Sequence, residues 1–537
     1  MDIRSLIGER FTSVDTAWLH MDSPTNLAVI TGVITFSDPL DYDAFLEILR
    51  TRLLSYPRLR QRVIEPVIGL PRWVEDPKFD LGNHFFRMSL SEPADHETLQ
   101  HVVSEMMSIP LDKTKPLWEL HYVDNYDQGS ALICRFHHCI ADGIALVQVL
   151  LSIADEDVGE HLFDSIEDPF ADLSPLARLF VPPVIATRAV QRRVRKARSF
   201  VNQGIKTITS PPRMINLAKV AAAGGISLGK LLLLPPDQST LLKDRCGIPK
   251  KAVWSKVIDV ADIKKIGQSL DATINDILLA ALTGAIRKYF LSREERVDGL
   301  NIRAIVPVNL RPADDAGWLG NQFGLVFLSL PVGVEDSIKR LSVLKQRMAK
   351  IKQTPEAVVA LGILSTMGVS PNRIEDLIRE MFGMKGSLVV TNVPGPRQAL
   401  RFADVKIDGL MFWVPAPVNL SLGVSMISYA GDVMVGIATD AGIIPDPETI
   451  MDAFYEELMM LSEWEKASQV IGAAHDDEIG EMEVEKIRSE IVEHVEPAGE
   501  SEESQEPGRC QALTLKGIQC KNQALQGAVF CHIHANK

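Results

Sequence analysis

Residues 130–136 read SALICRF, followed by His137-His138-Cys139-Ile140-Ala141-Asp142-Gly143 and then by IALVQVLLSI over residues 144–153. The first run is short and apolar and predicts a strand. The last is apolar throughout and predicts a buried helix, with Asp142-Gly143 as the turn before it. Strand, polar loop and helix in that order place side chains on a rigid edge, where chemistry is commonly carried. A neutral imidazole takes a proton from an alcohol near pH 7, which an ordinary carboxylate does poorly. A carboxylate four residues after the second histidine, beside a glycine that permits a tight turn, can hold such a loop in shape. A lone His-x-x-x-Asp is plain turn chemistry. The doubled histidine, the glycine and the flanking elements point instead to a catalytic loop, with His137, His138, Asp142 and Gly143 as its candidate residues.

Outward from this loop, residues 26–37 predict a β-branched strand, and residues 42–55 and 96–109 predict amphipathic helices. On the C-terminal side, strands are expected at 254–260, 302–308 and 325–330, and a strongly apolar helix at 274–290. Residues 386–391 lead into Asn392-Val393-Pro394-Gly395-Pro396, read as a turn. Residues 420–428 and 433–439 form a hairpin around Ala430-Gly431-Asp432, and 449–461 a last helix. Both halves mix strands and helices without the regular alternation of a doubly wound sheet. The expected fold is therefore mixed α/β (α+β), with subdomains at 1–172 and 251–465.

The 537 residues are 46% hydrophobic and 23% charged, an ordinary globular balance. A net charge of −14 argues against nucleic acid as a partner. Three of the six cysteines are scattered and three sit near the C-terminus, which is no disulfide scaffold and fits a reducing compartment. No secretory signal and no membrane-spanning run are expected. Residues 173–236 hold 11 Lys/Arg and no acidic residue. The segment 173–250 reads as a basic interdomain linker. It is either a solvated connection or a surface that lies on an anionic membrane or lipid droplet. Residues 466–507 read as an acidic flexible tether. Beyond it, Cys510, Cys520, Cys531 and His534 make a complete tetrahedral set for a structural Zn²⁺ within residues 508–537, with His532 competing for the fourth position. The surrounding text resembles short Cys3His zinc-binding tails.

The HHxxxDG pattern resembles the signature of the CoA-dependent acyltransferase superfamily. More narrowly, the chain is similar to the bacterial wax ester synthase/diacylglycerol acyltransferase family. Asp15-Thr16-Ala17-Trp18-Leu19 resembles the family's opening, and Pro116-Leu117-Trp118 its PLW motif. Asn275-Asp276 resembles its ND motif. Pro307-Val308-Asn309-Leu310-Arg311 with Gly320-Asn321, and Thr391 through Pro396, resemble its later patterns. The likeness covers about residues 9–465.

The resemblance implies two chloramphenicol-acetyltransferase-like subdomains with the active site between them. It implies direct acyl transfer from acyl-CoA to the hydroxyl of diacylglycerol or a long-chain alcohol, without a catalytic cofactor. His138 would be the general base and His137 its support. Asp142 would be architectural and pair with an arginine, Arg311 being one candidate. Pro116, Leu117, Trp118, Asn275 and Asp276 would bind substrate or stabilise structure: Trp118 as a core aromatic, Asn275-Asp276 as a helix cap. The protein would be cytoplasmic, peripheral at a membrane or lipid inclusion. No Gly-x-Ser-x-Gly elbow is present, so a serine acyl-enzyme is not indicated, and Cys139 is not expected to be a nucleophile. Two alternatives share the motif: a condensation-type acyltransferase of secondary metabolism, and a non-catalytic lipid-surface protein that kept the fold.

Overall fold

The computed structural model describes residues 8–67, 69–155, 233–310, 319–352, 354, 356–367, 372–416 and 420–475. The basic stretch up to residue 232, Arg311 and the zinc candidates Cys510, Cys520, Cys531 and His534 lie outside the described residues.

The strand that leads to the histidines, Gly129–His137, is buried along most of both faces and so needs a neighbour on each side. It pairs antiparallel with Val29–Phe36 and with Trp118–Tyr126. These three strands are the centre of a six-stranded sheet, in the order Arg401–Phe402, Val405–Trp413, Val29–Phe36, Gly129–His137, Trp118–Tyr126, Phe85–Met88. A seven-stranded mixed sheet forms the second half. Its order is Phe323–Leu330, Ile302–Asn309, Leu388–Pro394, Leu422–Tyr429, Asp432–Asp440, Lys250–Trp254, with Ile258–Asp259 also paired to Asp432–Asp440. Leu388–Pro394 is parallel to both neighbours. Both sheets belong to one compact unit that runs to Ser468.

The boundary expected at residue 251 does not divide the sheets. Val405–Trp413 belongs by sequence to the C-terminal half, yet it pairs with Val29–Phe36 from Ile407↔Phe36 to Trp413↔Thr31. Its Ile407, Met411 and Trp413 are almost fully buried, which an interior strand can satisfy and a free edge cannot. The linker does not extend to 250 either. The Asp237 carboxylate accepts from the Arg303 N–H at 2.7 Å and the Ser387 hydroxyl at 2.6 Å, and Leu242 is buried. Residues 233–249 are thus packed onto the C-terminal half.

Two local expectations are also corrected. The strand expected at 254–260 lies earlier, at Lys250–Trp254, because Asp259 caps the helix Val260–Ser269 by accepting from the Ala261 N–H at 2.7 Å. The turn expected from Asn392 begins only at Gly395. Asn392, Val393 and Pro394 continue the strand against Met426, Ile427 and Ser428. Pro394 closes that strand, where its missing N–H is tolerated.

The apolar helix Ile274–Ser292 starts at a capping box between Thr273 and Asp276. It packs beside the helices Ser337–Lys352 and Pro447–His475. Between the three sits a buried ion pair, Arg340 to Glu457. Arg340 also donates to the carbonyls of Val334 and Glu335, both at 3.0 Å. A Cβ on Gly284 would collide with both charged groups, so glycine makes the room for the pair. Replacing Glu457 with Leu strands a guanidinium in the core. It should destabilise the protein by about 3–5 kcal/mol, read as a fall in Tm, while the folded fraction keeps its specific activity.

Candidate active site

The helix Ser13–Met21 is capped by Thr12, whose hydroxyl accepts from the Asp15 N–H at 3.1 Å. Asp15, Trp18 and Met21 follow at intervals of three and share its inward side. Trp18 stacks on the His138 imidazole, with ring centroids 3.7 Å apart and planes 10° from parallel. Phe323 closes on the same ring at 5.8 Å.

The loop that carries His138 is held from several directions. Its N–H donates to the Ala28 carbonyl at 2.7 Å, and its carbonyl accepts from Asn321 Nδ2 at 2.8 Å. Asn321 in turn donates through its side chain and its backbone to Asp15 Oδ1, at 2.8 and 3.2 Å. Arg58 donates to the Ile140 carbonyl at 3.1 Å and lies 3.9 Å from Asp15 Oδ2. Burial raises the Asp15 carboxyl above its ordinary range, against the opposing pull of Arg58 and Asn321.

His137 has a different partner set. Its Nδ1 accepts from the Cys139 N–H at 3.1 Å, so the ring proton resides on Nε2. That nitrogen faces Asp22 Oδ2 at 3.9 Å. Burial acts to raise the Asp22 carboxyl, but His137, Lys113 at 2.8 Å and the Ala28 N–H outweigh it and hold the group well below the usual carboxylate range.

Asp142 caps the helix Gly143–Ile153: its Oδ1 accepts from the Ala145 N–H at 2.9 Å. Its Oδ2 accepts from the Gln322 N–H at 3.0 Å. One carboxylate therefore ties the N-terminal helix start to a C-terminal loop.

His138 is 4% exposed, and burial lowers its pKa to about 4. The Asp142 carboxylate and the residue's own carbonyl oppose that shift without cancelling it. The imidazole is neutral at pH 7. Nδ1 is sealed from solvent, which leaves Nε2 for an incoming group. Burial also pushes the Cys139 thiol well up, so it is no thiolate nucleophile.

In front of His138 lies a cavity of about 220 Å³. Its apolar wall includes Ile305, Phe323, Leu325, Leu364, Phe382 and Val389, with Asn309, Thr391, Asn392 and Arg379 as polar points. Of the four loop residues, His138, Asp142 and Gly143 line the cavity, while His137 does not and faces Asp22. Asn275 lies beside it, its Oδ1 accepting from Asn392 Nδ2 at 2.9 Å. Asp276 turns back to cap its own helix. Pro116, Leu117 and Trp118 do not line the cavity. Trp118 is fully buried and donates through Nε1 to the Leu59 carbonyl at 2.8 Å, while the Leu117 carbonyl accepts from the His137 N–H at 2.9 Å. That motif supports the loop from behind. Trp18, Phe323, Asn321 and Arg379 were not foreseen as site residues. Trp18 and Asn321 lie in stretches that resemble family motifs, whereas no motif marks Phe323 or Arg379. Among the described residues no His, Cys, Asp and Glu cluster could hold a metal ion.

The fold and the buried histidine define an acyltransferase of the HHxxxDG kind, and comparison with known proteins narrows it. The wax ester synthase/diacylglycerol acyltransferase catalytic domain matches residues 11–278, and the WS/DGAT C-terminal domain matches residues 319–462. The chain belongs to the wax ester synthase/diacylglycerol acyltransferase family. It is 28% identical over 448 residues to a probable diacylglycerol O-acyltransferase of Mycobacterium tuberculosis, covering 81% of this chain and 92% of that one. It is 25% identical over 410 residues to the O-acyltransferase WSD of Acinetobacter baylyi, covering 72% and 82%. The wax ester synthase/diacylglycerol acyltransferase of Marinobacter aquaeolei superposes with a TM-score of 0.58 at 20% identity, covering 85% of this chain and all of that one. The first condensation domain of the CDA synthetase shares the fold at a TM-score of 0.53 and 14% identity, over 86% and 97% of the two chains.

An imidazole with a pKa near 4 stays neutral through the range in which an ordinary one protonates. The kcat/KM profile should therefore be flat on its acid side across about pH 6–7 and fall only as pH drops toward 4. A half-maximal point near 6.5 in a steady-state pH series would contradict this burial-driven shift.

Proposed function

We propose that this protein transfers a fatty acyl group from acyl-CoA to the hydroxyl of diacylglycerol or a long-chain alcohol, giving triacylglycerol or wax ester. The observation that carries the reading is His138: a neutral, buried imidazole, clamped by Trp18 and Phe323 at the end of an apolar cavity. As the acceptor oxygen attacks the thioester carbonyl, Nε2 takes the hydroxyl proton. The tetrahedral intermediate expels the CoA thiolate, which recovers that proton from His138. Both substrates are bound together and no acyl-enzyme forms. Asp142 is architectural in this scheme: its oxygens accept from the Ala145 and Gln322 backbone. His137 orients the loop through Asp22.

Purified protein with palmitoyl-CoA and either hexadecanol or diacylglycerol tests the reaction and ranks the acceptors. His138→Ala should lower turnover by about 10²–10⁴-fold with an unchanged Tm, and wild-type turnover in that variant would refute the base assignment.

The outlying segments extend the proposal. The acid-free basic stretch 173–236 holds the enzyme peripherally on an anionic membrane or lipid surface, where both lipid substrates partition. Cys510, Cys520, Cys531 and His534 hold one structural Zn²⁺ with no part in transfer. Flotation with anionic vesicles should weaken when Arg192, Arg193, Arg195, Lys196 and Arg198 become Gln. Metal analysis should find one zinc in the full chain and none after deletion of residues 471–537; intact flotation or retained zinc would count against each assignment.

A further inference from the structure

Gly143 borders two cavities. One is the cavity in front of His138. The other, about 100 Å³, lies behind the motif, between the helix Gly143–Ile153 and the six-stranded sheet. Leu132, Cys134 and Phe136 line its floor from alternate positions of one strand, and Leu146, Val147 and Leu150 line its roof. Its wall carries no charged side chain.

Glycine at 143 answers no backbone demand, since it is not among the glycines with a positive φ. Nor would a side chain there clash: a Cβ would stand at ordinary contact distance, 3.7 Å from Phe412 and 3.9 Å from Val393. Val393 lines the first cavity and Phe412 the second. The absent side chain leaves room for about one Cβ between those two linings.

We propose that Gly143 is the throat of an acyl-chain channel, and that the chamber behind it takes the distal methylenes of the donor's fatty acyl chain. The inference rests on the acyl-transfer reading and adds the place of one substrate's tail. The chamber follows the helix from Gly143 to Ile153, about 15 Å at 1.5 Å per residue, a length suited to a long-chain tail. With the thioester carbonyl beside His138, the tail passes Gly143 while CoA stays on the open side of the first cavity. A throat one residue wide admits a single unbranched chain. Diacylglycerol, with two chains meeting at a glycerol, does not thread it. Burial of methylenes against this wall is favourable and grows with chain length until the chamber is full.

The test reads donor chain length. Cys134→Phe fills the chamber from the sheet, and Val147→Phe fills it from the helix. Each should lower kcat/KM for palmitoyl-CoA by about tenfold or more and leave that for butyryl-CoA unchanged, with one acceptor held constant. Wild-type turnover of palmitoyl-CoA tests the transferase reading; only the long-to-short ratio tests the chamber. An equal loss for both donors, an unaltered ratio in a folded variant, or a shift in acceptor rather than donor chain preference would overturn the proposal. The wild-type series needs no variant. Affinity that failed to rise from butyryl-CoA to palmitoyl-CoA would overturn it as well.

Discussion

Six backbone pairings, from Ile407↔Phe36 to Trp413↔Thr31, decide whether this protein has an active site. They draw a strand of the C-terminal half into the N-terminal sheet and fix the two halves against each other. The chain then leaves that strand through Val414 and Pro415, which line the cavity. His138 ends a strand of one half, and much of the wall it faces comes from strands of the other. Without the crossover the imidazole would meet water, and both the depressed pKa and the enclosed apolar volume would be lost together. Gly32 and Gly409 fit this junction. A Cβ on Gly32 would stand in ordinary contact with the Met411 carbonyl, at 3.4 Å, and one on Gly409 would run into the Thr35 hydroxyl.

The same enclosure explains how charge is arranged. Burying an imidazole penalises only its protonated form, so a neutral base can sit in a dry cavity without a counter-ion. The charges that the fold does bury lie behind the base or to one side. Asp22 is paired with Lys113 and His137, and Asp15 is bonded to Asn321 beneath Arg58. Each cluster braces the loop from His137 to Gly143, and the cavity in front of His138 keeps a mostly apolar wall. An apolar chain and a proton acceptor can then share one space, which an ion-paired histidine would not allow.

The histidine loop was legible in the sequence because its signal is local: strand, two histidines, an aspartate, a glycine and a helix follow one another within 25 residues. Its clamp was not. Trp18 and Phe323 are more than 300 positions apart, and each reads alone as a core aromatic. The role of Trp118 as a buried support was expected, and so was the cap formed by Asp276. The strand at Lys250–Trp254 was misplaced because an Asp259 cap, rather than hydrophobic pattern, sets where the next helix begins. The exchange of Val405–Trp413 between halves was invisible because apolar alternation names a strand without naming its partner. The helices Glu356–Met367 and Asn372–Lys385, which bring Leu364, Arg379 and Phe382 to the cavity, carry no motif at all.

Two similar-looking pairs of residues do different work for a reason that lies in topology. Leu117-Trp118 sits on the strand next to Gly129–His137, so its contacts are with the backbone behind the histidines. Asn275-Asp276 opens a helix of the other half, and only one of its two side chains can cap. Asp276 does so, which frees Asn275 to reach Asn392 in the cavity wall. Both halves hold His138, the N-terminal one through Trp18 and Ala28 and the C-terminal one through Asn321 and Phe323, while Ile305, Asn309, Val389 and Asn392 shape the cavity it faces. One crossover strand keeps His138 and that cavity wall in register.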